Sequence, residues 1–261
     1  MRILIKYLLY LVSARHRKGH GIHSPFVFDL VSNVLYGTDK QDYTVVEARR
    51  KYLLKDRSRI NVEDYGAGSR TGAGEGREVR HIAKTSAIRS KYGRLLTRLV
   101  SWYKPSTIIE LGTGFGISTA YLAIGCPGSG IYSIEGSGNI HDMARETMQI
   151  TGLKNVELIH GQFAGELRPL LEKTVNKKNF LVFIDGDHVG KNVLEYCEWL
   201  EEKSFEDLVI ILDDIYWSPS MAAAWKELVG RTEFTVSIDL FQFGILFVKK
   251  GVAKQHYMIR F

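Results

Sequence analysis

At 261 residues, 45% apolar and 25% charged, the chain can bury one substantial core and has the composition of a globular protein rather than a fibrous, collagenous or disordered one. Its two cysteines, Cys126 and Cys197, offer neither a disulfide framework nor metal-ligand spacing, which fits a cytoplasmic protein. The net charge of +6 is uneven: residues 1–104 carry 21 Lys and Arg against 9 Asp and Glu, a net of +12, leaving 14 against 20, a net of −6, for the remainder. A front half of this kind suits an anionic substrate, nucleic acid or a membrane surface, and solvated helix faces explain it equally well.

Residues 1–14 are apolar with a basic start and small residues at their end, yet Lys6 interrupts the run and it is too short to span a bilayer. The expectation is an amphipathic helix that docks on the domain or on a partner. The alternative is a helix lying on a membrane surface, because Arg15, Arg17 and Lys18 follow directly. Ser24 and Pro25 read as the N-cap and first position of a second helix. His20 and His23 precede it on a loop and, with no third ligand nearby, make a poor metal site. Residues 41–60 carry a basic helical pattern. Five glycines between 66 and 76 then form a stretch expected to act as a lid over the site, with Arg70, Arg77 and Arg80 as contacts to substrate anions, or else as a linker. Residues 90–103 form an amphipathic helix that ends before Pro105.

From residue 106 the chain alternates strands and helices. Candidate strands are 106–112, 130–135, 156–161, 180–185 and 208–214, which predict a doubly wound, mostly parallel α/β sheet with ligands at the strands' carboxyl ends. Two further strands, 234–240 and 243–250, are too close for a helical crossover and must form an antiparallel hairpin, giving seven strands in all. The first strand runs into Glu110, Gly112, Thr113, Gly114 and Gly116, a glycine turn that opens a helix at Ser118. Glu135 ends the second strand, where an acidic side chain accepts both hydroxyls of a ribose. An adenosine cofactor follows, and Ile117 in place of a glycine argues against a dinucleotide.

The pattern E-x-G-x-G-x-G over residues 110–116 resembles the first motif of the class I S-adenosylmethionine (SAM)-dependent methyltransferases. Five parallel strands finished by a hairpin is the sheet of that class, so the resemblance covers residues 90–250 and implies a SAM-binding domain over 89–261, preceded by an N-terminal helical extension over 1–88. The segment around Gly93 resembles one that closes over the cofactor in small-molecule O-methyltransferases. Among the residues the class uses for SAM, Gly161, Gln162 and Phe163 fall after the third strand. Gln162 stands where an acidic residue commonly contacts adenine, and Phe163 either stacks on that ring or belongs to the core.

Asp185 and His188 follow the fourth strand, and Asp213, Asp214 and Trp217 the fifth. In a doubly wound sheet these ends are neighbours, so Asp185, Asp213 and Asp214 converge and must bind a cation such as Mg²⁺ or take up a proton. The clusters are similar to those of the cation-dependent catechol and caffeoyl-CoA O-methyltransferases, with Asp214 where that group has Asn and His188 where it has its catalytic Lys. The resemblance implies methyl transfer to a hydroxyl of a small, in some cases anionic, acceptor. A histidine suits the general-base role, with Lys191 a weaker candidate, while His188 capping the next helix or bonding Asp187 is the structural alternative. A nucleic-acid methyltransferase using the basic front half, and a non-catalytic SAM-binding scaffold, are the competing functions. The nucleic-acid reading lacks both the Asn/Asp-Pro-Pro-aromatic signature and a base-stacking aromatic run. A homodimer is compatible with every reading.

Overall fold

The computed structural model describes residues 2–63, 76–174 and 179–261. Strands β3 (Thr107–Leu111), β6 (Phe180–Ile184) and β7 (Asp207–Asp213) are almost wholly buried, because helices cover both faces of the sheet they form. Alternate residues divide between two apolar clusters. Ile108, Leu181, Phe183, Val209 and Ile211 face one, while Ile109, Leu111, Val182, Ile184, Ile210 and Leu212 face the other.

The first cluster is closed by α5 (Ser90–Tyr103), α6 (Ile117–Gly125) and α7 (Gly138–Thr151). Val27, Leu30, Val46 and Ile82 from the N-terminal helices lie in it too. The second is closed by α8 (Phe163–Thr174), α9 (Gly190–Glu201) and α10 (Pro219–Gly230). With β4 (Gly130–Glu135), β5 (Val156–His160), β8 (Val236–Asp239), β9 (Phe243–Lys249) and β10 (Gln255–Met258), the order across the sheet is β10-β8-β9-β7-β6-β3-β4-β5. The chain builds outward from β3 to β5 and then returns to lay β6 on the other side of β3, so the crevice between β3 and β6 is the topological switch point.

All seven expected strands are present, β8 and β9 forming the antiparallel hairpin. The expected count falls one short: β10 (Gln255–Met258) adds an eighth strand, parallel to β8. Four mixed polar and aromatic residues after a turn carry no clear two-residue period, so pairing with an edge strand decides their conformation.

Ahead of the sheet run α1 (Arg2–Ser13), α2 (Pro25–Leu30), α3 (Thr44–Leu53) and α4 (Val79–Ser86). Ser24 caps α2 as expected, its hydroxyl accepting from the Val27 N–H. The helix expected over 41–60 stops early. The Asp56 carboxylate accepts from the Ser58 N–H and turns the chain into β1 (Arg59–Ile60), which pairs with β2 (Arg77–Glu78). Most of the glycine stretch expected as a lid, Arg70 included, lies outside the described residues.

Several cations of the basic front half are committed internally. Arg49, with its side chain 2% exposed, bonds Glu146 and Thr147 on α7; Arg94 and Arg98 pair with Asp39; Arg50 donates to the Ile88 carbonyl. Their placement is that of ties between layers, not of a row presented to phosphates.

Candidate active site

Three glycines follow β3 and each is required for a different reason. Gly112 has φ +102°, and a Cβ there would stand 2.2 Å from the Asp185 carbonyl oxygen, so its lack of a side chain lets the ends of β3 and β6 meet. The Asp185 N–H donates to the Leu111 carbonyl at 2.9 Å across the same junction. Gly116, φ +77°, lets the start of α6 approach Ala144 and Met148 of α7. Gly114, φ +53°, meets nothing within 4 Å, and it is the glycine that faces open space at the strand ends.

Glu135 reaches this loop from the end of β4. Its Oε2 accepts from the Gly114 N–H and its Oε1 from the Ser137 N–H, both at 3.0 Å. Burial raises its pKa, and those main-chain donors oppose the shift. The Ser137 hydroxyl beside it is buried with no partner. Beneath the loop, Glu110 is fully buried. Its Oε2 accepts from Thr119 and Ser133, while Oε1 has no partner, and desolvation pushes its carboxyl up to about 7. Thr113 is tied to Ser133 at 2.6 Å, and Ser118 is buried against the same carboxylate. A carboxylate with exchangeable main-chain donors, an unpartnered hydroxyl and an open glycine suit the ribose and amino-acid groups of SAM.

After β5 the expected contacts divide. Gly161 donates its N–H to the Glu135 carbonyl. Gln162 is exposed, and its own carbonyl starts α8 by accepting from Gly165 and Glu166. Phe163 lies against Gly186, where a Cβ would come within 2.7 Å of its ring, and meets Tyr196 edge-on at 6.3 Å between centroids, so its ring is already part of the packing.

Across the crevice, Asp187 and His188 both take positive φ, 66° and 35°, in the turn between β6 and α9. Two adjacent left-handed residues other than glycine are costly and mark a turn held for a purpose. The alternative roles for His188 do not fit. Asp187 Oδ2 accepts instead from Asn192 (2.7 Å) and Tyr196 (2.9 Å), and the N-cap of α9 is Val189, with no side-chain cap. His188 Nε2 lies 4.0 Å from Asp185 Oδ1, outside hydrogen-bond range. Lys191 is exposed on α9.

Asp185 and Asp213 are neighbours at the ends of β6 and β7, with Asp214 next in the chain. Burial and the neighbouring Asp213 drive Asp185 well above the usual carboxylate range, and burial with the neighbouring Asp214 raises Asp213 as well, so the pair resists carrying two full negative charges. A divalent cation does not fit this donor set. Gln242, from the turn between β8 and β9, directs its amide nitrogen at Asp213 Oδ1 (2.6 Å) and Asp214 Oδ1 (2.7 Å), one N–H for each. Among the described residues no group of three or more Asp, Glu, His or Cys is arranged to hold a metal. Trp217 is 62% exposed beyond the pair.

Two side chains at this end were not foreseen. Gln242 belongs to no motif and touches carboxylates 28 and 29 positions earlier only because β9 runs antiparallel to β7. Tyr92, near the start of α5, is pushed up to about 12 by burial and by Asp213 and Asp214 nearby. It lies in a stretch that was read only for Gly93, whose missing Cβ makes room for the Tyr121 ring.

A solved O-methyltransferase of Bacillus cereus in complex with SAH aligns over 86% of this chain and 97% of its own, with a TM-score of 0.54 and 21% identity. The chain has the class I methyltransferase fold. Within it, residues 109–215 match a family described as a methyltransferase domain. A catechol O-methyltransferase of Mycobacterium tuberculosis is 28% identical over 131 residues, 49% of this chain and 57% of its own length. A protein-L-isoaspartate O-methyltransferase of Chromobacterium violaceum is 38% identical over 68 residues, 26% of this chain and 30% of its own. The chain thus spans between 30% and 57% of the length of these curated relatives. The matched methyltransferase domain contains both the Gly112–Gly116 turn and the Asp185–His188 turn.

Proposed function

We propose that the protein is a cytoplasmic SAM-dependent methyltransferase that methylates a hydroxyl oxygen of a small molecule. The observation that carries this reading is the placing of Glu135 and Gly114 on one side of the switch-point crevice and of His188, with Asp185, on the other. Glu135 and the N–H groups of the glycine turn hold the cofactor's ribose and amino-acid parts. Bound SAM supplies an electrophilic methyl group on its sulfonium. Asp185, tied through its main chain to β3, fixes the floor between the two sides. His188 Nε2 takes the proton of the acceptor hydroxyl, and the crevice holds that oxygen in line for displacement, which supplies much of the rate. The Gln242 amide hydrogen-bonds Asp213 and Asp214, the raised Asp185–Asp213 pair favours taking up a proton, and no step requires a metal. The raised Tyr92 hydroxyl stays protonated near neutrality and donates a hydrogen bond on the acceptor side.

Transfer of labelled methyl from SAM to a panel of phenols, catechols and hydroxy acids tests the reading. Transfer that falls by about 10² or more in His188→Ala, with binding of S-adenosylhomocysteine retained, supports it. Cofactor binding without transfer to any acceptor favours the scaffold reading instead. Steeply salt-dependent binding of RNA or DNA favours a nucleic-acid substrate.

A further inference from the structure

Helix α1 is held by one side only. Tyr10, 4% exposed, donates its hydroxyl to the Ile259 carbonyl, the Tyr7 and Tyr10 rings meet Phe241 at 4.9 and 5.3 Å, and Lys6 lies 5.5 Å over the Tyr216 ring. At about 100° per residue, Leu4, Ile5, Leu8, Leu9 and Val12 fall on one continuous arc opposite Tyr10. All five are more than half exposed, from 53% for Ile5 to 83% for Val12. Most of the other large apolar side chains that stand exposed are scattered singly, whereas these form one patch.

The charge around the patch says what covers it. Arg2, Lys6, Arg15, Arg17 and Lys18 belong to the first 28 residues of the sequence, and no Asp or Glu occurs before Asp29. Arg15 and Lys18 are exposed just past the helix. A second copy meeting the patch through a two-fold axis would bring the same cation-rich segment, with no Asp or Glu of its own before Asp29, against itself. The helix has 12 residues, and none among the described residues is long and apolar enough to cross a membrane.

We propose that α1 is a docking helix for an anionic lipid surface: Leu4, Ile5, Leu8, Leu9 and Val12 enter the headgroup–acyl boundary while Arg15 and Lys18 meet lipid phosphates. The helix rests on Phe241, the neighbour of the Gln242 that bridges Asp213 and Asp214, so docking sets the acceptor side of the crevice beside the bilayer. That position favours an acceptor that partitions into lipid.

Co-sedimentation of the full-length chain with vesicles of phosphatidylcholine alone, or mixed with phosphatidylglycerol, tests this. Binding is expected to be about tenfold or more stronger to the mixed vesicles and to weaken at high salt. The double variant Leu8→Glu with Val12→Glu is expected to lose about tenfold or more in vesicle affinity while still binding S-adenosylhomocysteine, which reports an intact fold independently of activity. Failure of the wild-type chain to bind mixed vesicles overturns the proposal, as does equal binding by the double variant. A concentration-dependent dimer in light scattering that the double variant abolishes would assign the patch to a second copy instead.

Discussion

On the β3–β4 side of the crevice the geometry is carried by the main chain: Gly112, Gly114 and Gly116 set the turn, and Glu135 closes on it through N–H donors two and 21 residues away. On the β6–β7 side it is carried by side chains, two aspartates whose carboxyls are raised by burial and an amide that arrives from another hairpin. A backbone turn that only glycine allows leaves its mark in consecutive residues. A carboxylate hydrogen-bonded by a distant amide leaves none, and the same aspartates then suggest a cation.

The largest difference between the sides is expected at the glycines. Gly112→Ala forces a Cβ into the Asp185 carbonyl and should cost about 4 kcal/mol or prevent folding. Gly114→Ala meets open space, should cost about 1 kcal/mol from its left-handed backbone, and should lower cofactor affinity. Urea denaturation with calorimetry separates the two, and equal costs would deny the separate roles. On the opposite side, His188→Ala should lower kcat by about 10² to 10⁴, that is about 3 to 5 kcal/mol of barrier, while Lys191→Ala changes little. Single-turnover transfer decides between them.

The buried carboxyl beneath the turn should make stability depend on pH. Glu110 is raised from 4.5 to about 7, so the folded state keeps a proton that the unfolded chain gives up. Its stabilisation is complete below about 4.5 and is lost as pH rises toward 7, a span of about 3 kcal/mol. Glu110→Gln should remove that part of the slope, and parallel curves for the two proteins would show the carboxyl to be ionised throughout. A smaller effect is expected at Glu135→Ala, which leaves the ribose hydroxyls without a charged acceptor and should weaken SAM by about 1 to 3 kcal/mol with the fold intact. Unchanged affinity in calorimetry would take Glu135 out of the site.

Strand positions were legible because β3, β6 and β7 are buried on both faces and read as continuous apolar runs, and the switch point followed from their order. What the chain order could not reveal depended on contacts made only after folding. Gln255–Met258 became a strand because β8 offered an edge. Arg49 was one of many basic residues until α7 placed Glu146 and Thr147 beside it. Phe163 looked equally fit for adenine or core until Gly186 left room for its ring. In the candidate site, Glu135 and Asp185 could be singled out from strand ends, whereas Gln242 sits between two phenylalanines in a hairpin turn with no charge or period to distinguish it.

The smallest effect is expected where the sequence pointed to a metal, and it is the sharpest test of the contrast between the two sides. Both protons of the Gln242 amide are directed at Asp213 and Asp214, and burial raises both Asp185 and Asp213, so a cation entering here must displace the amide and meet carboxyls that hold protons more readily than usual. Mg²⁺ holds its water tightly and binds where carboxylates are already free, which these are not. Excess chelator should therefore leave transfer unchanged, and Mn²⁺ titrated into the protein should show no binding in its spin-resonance spectrum. Gln242→Ala uncovers one oxygen on each of two adjacent carboxylates. That variant should bind Mn²⁺ measurably, though loosely, while its affinity for S-adenosylhomocysteine on the far side of the crevice stays as it was. If the wild-type chain binds Mn²⁺ tightly and loses activity in chelator, Gln242 swings aside for a cation, and the β6–β7 side works as a metal centre after all.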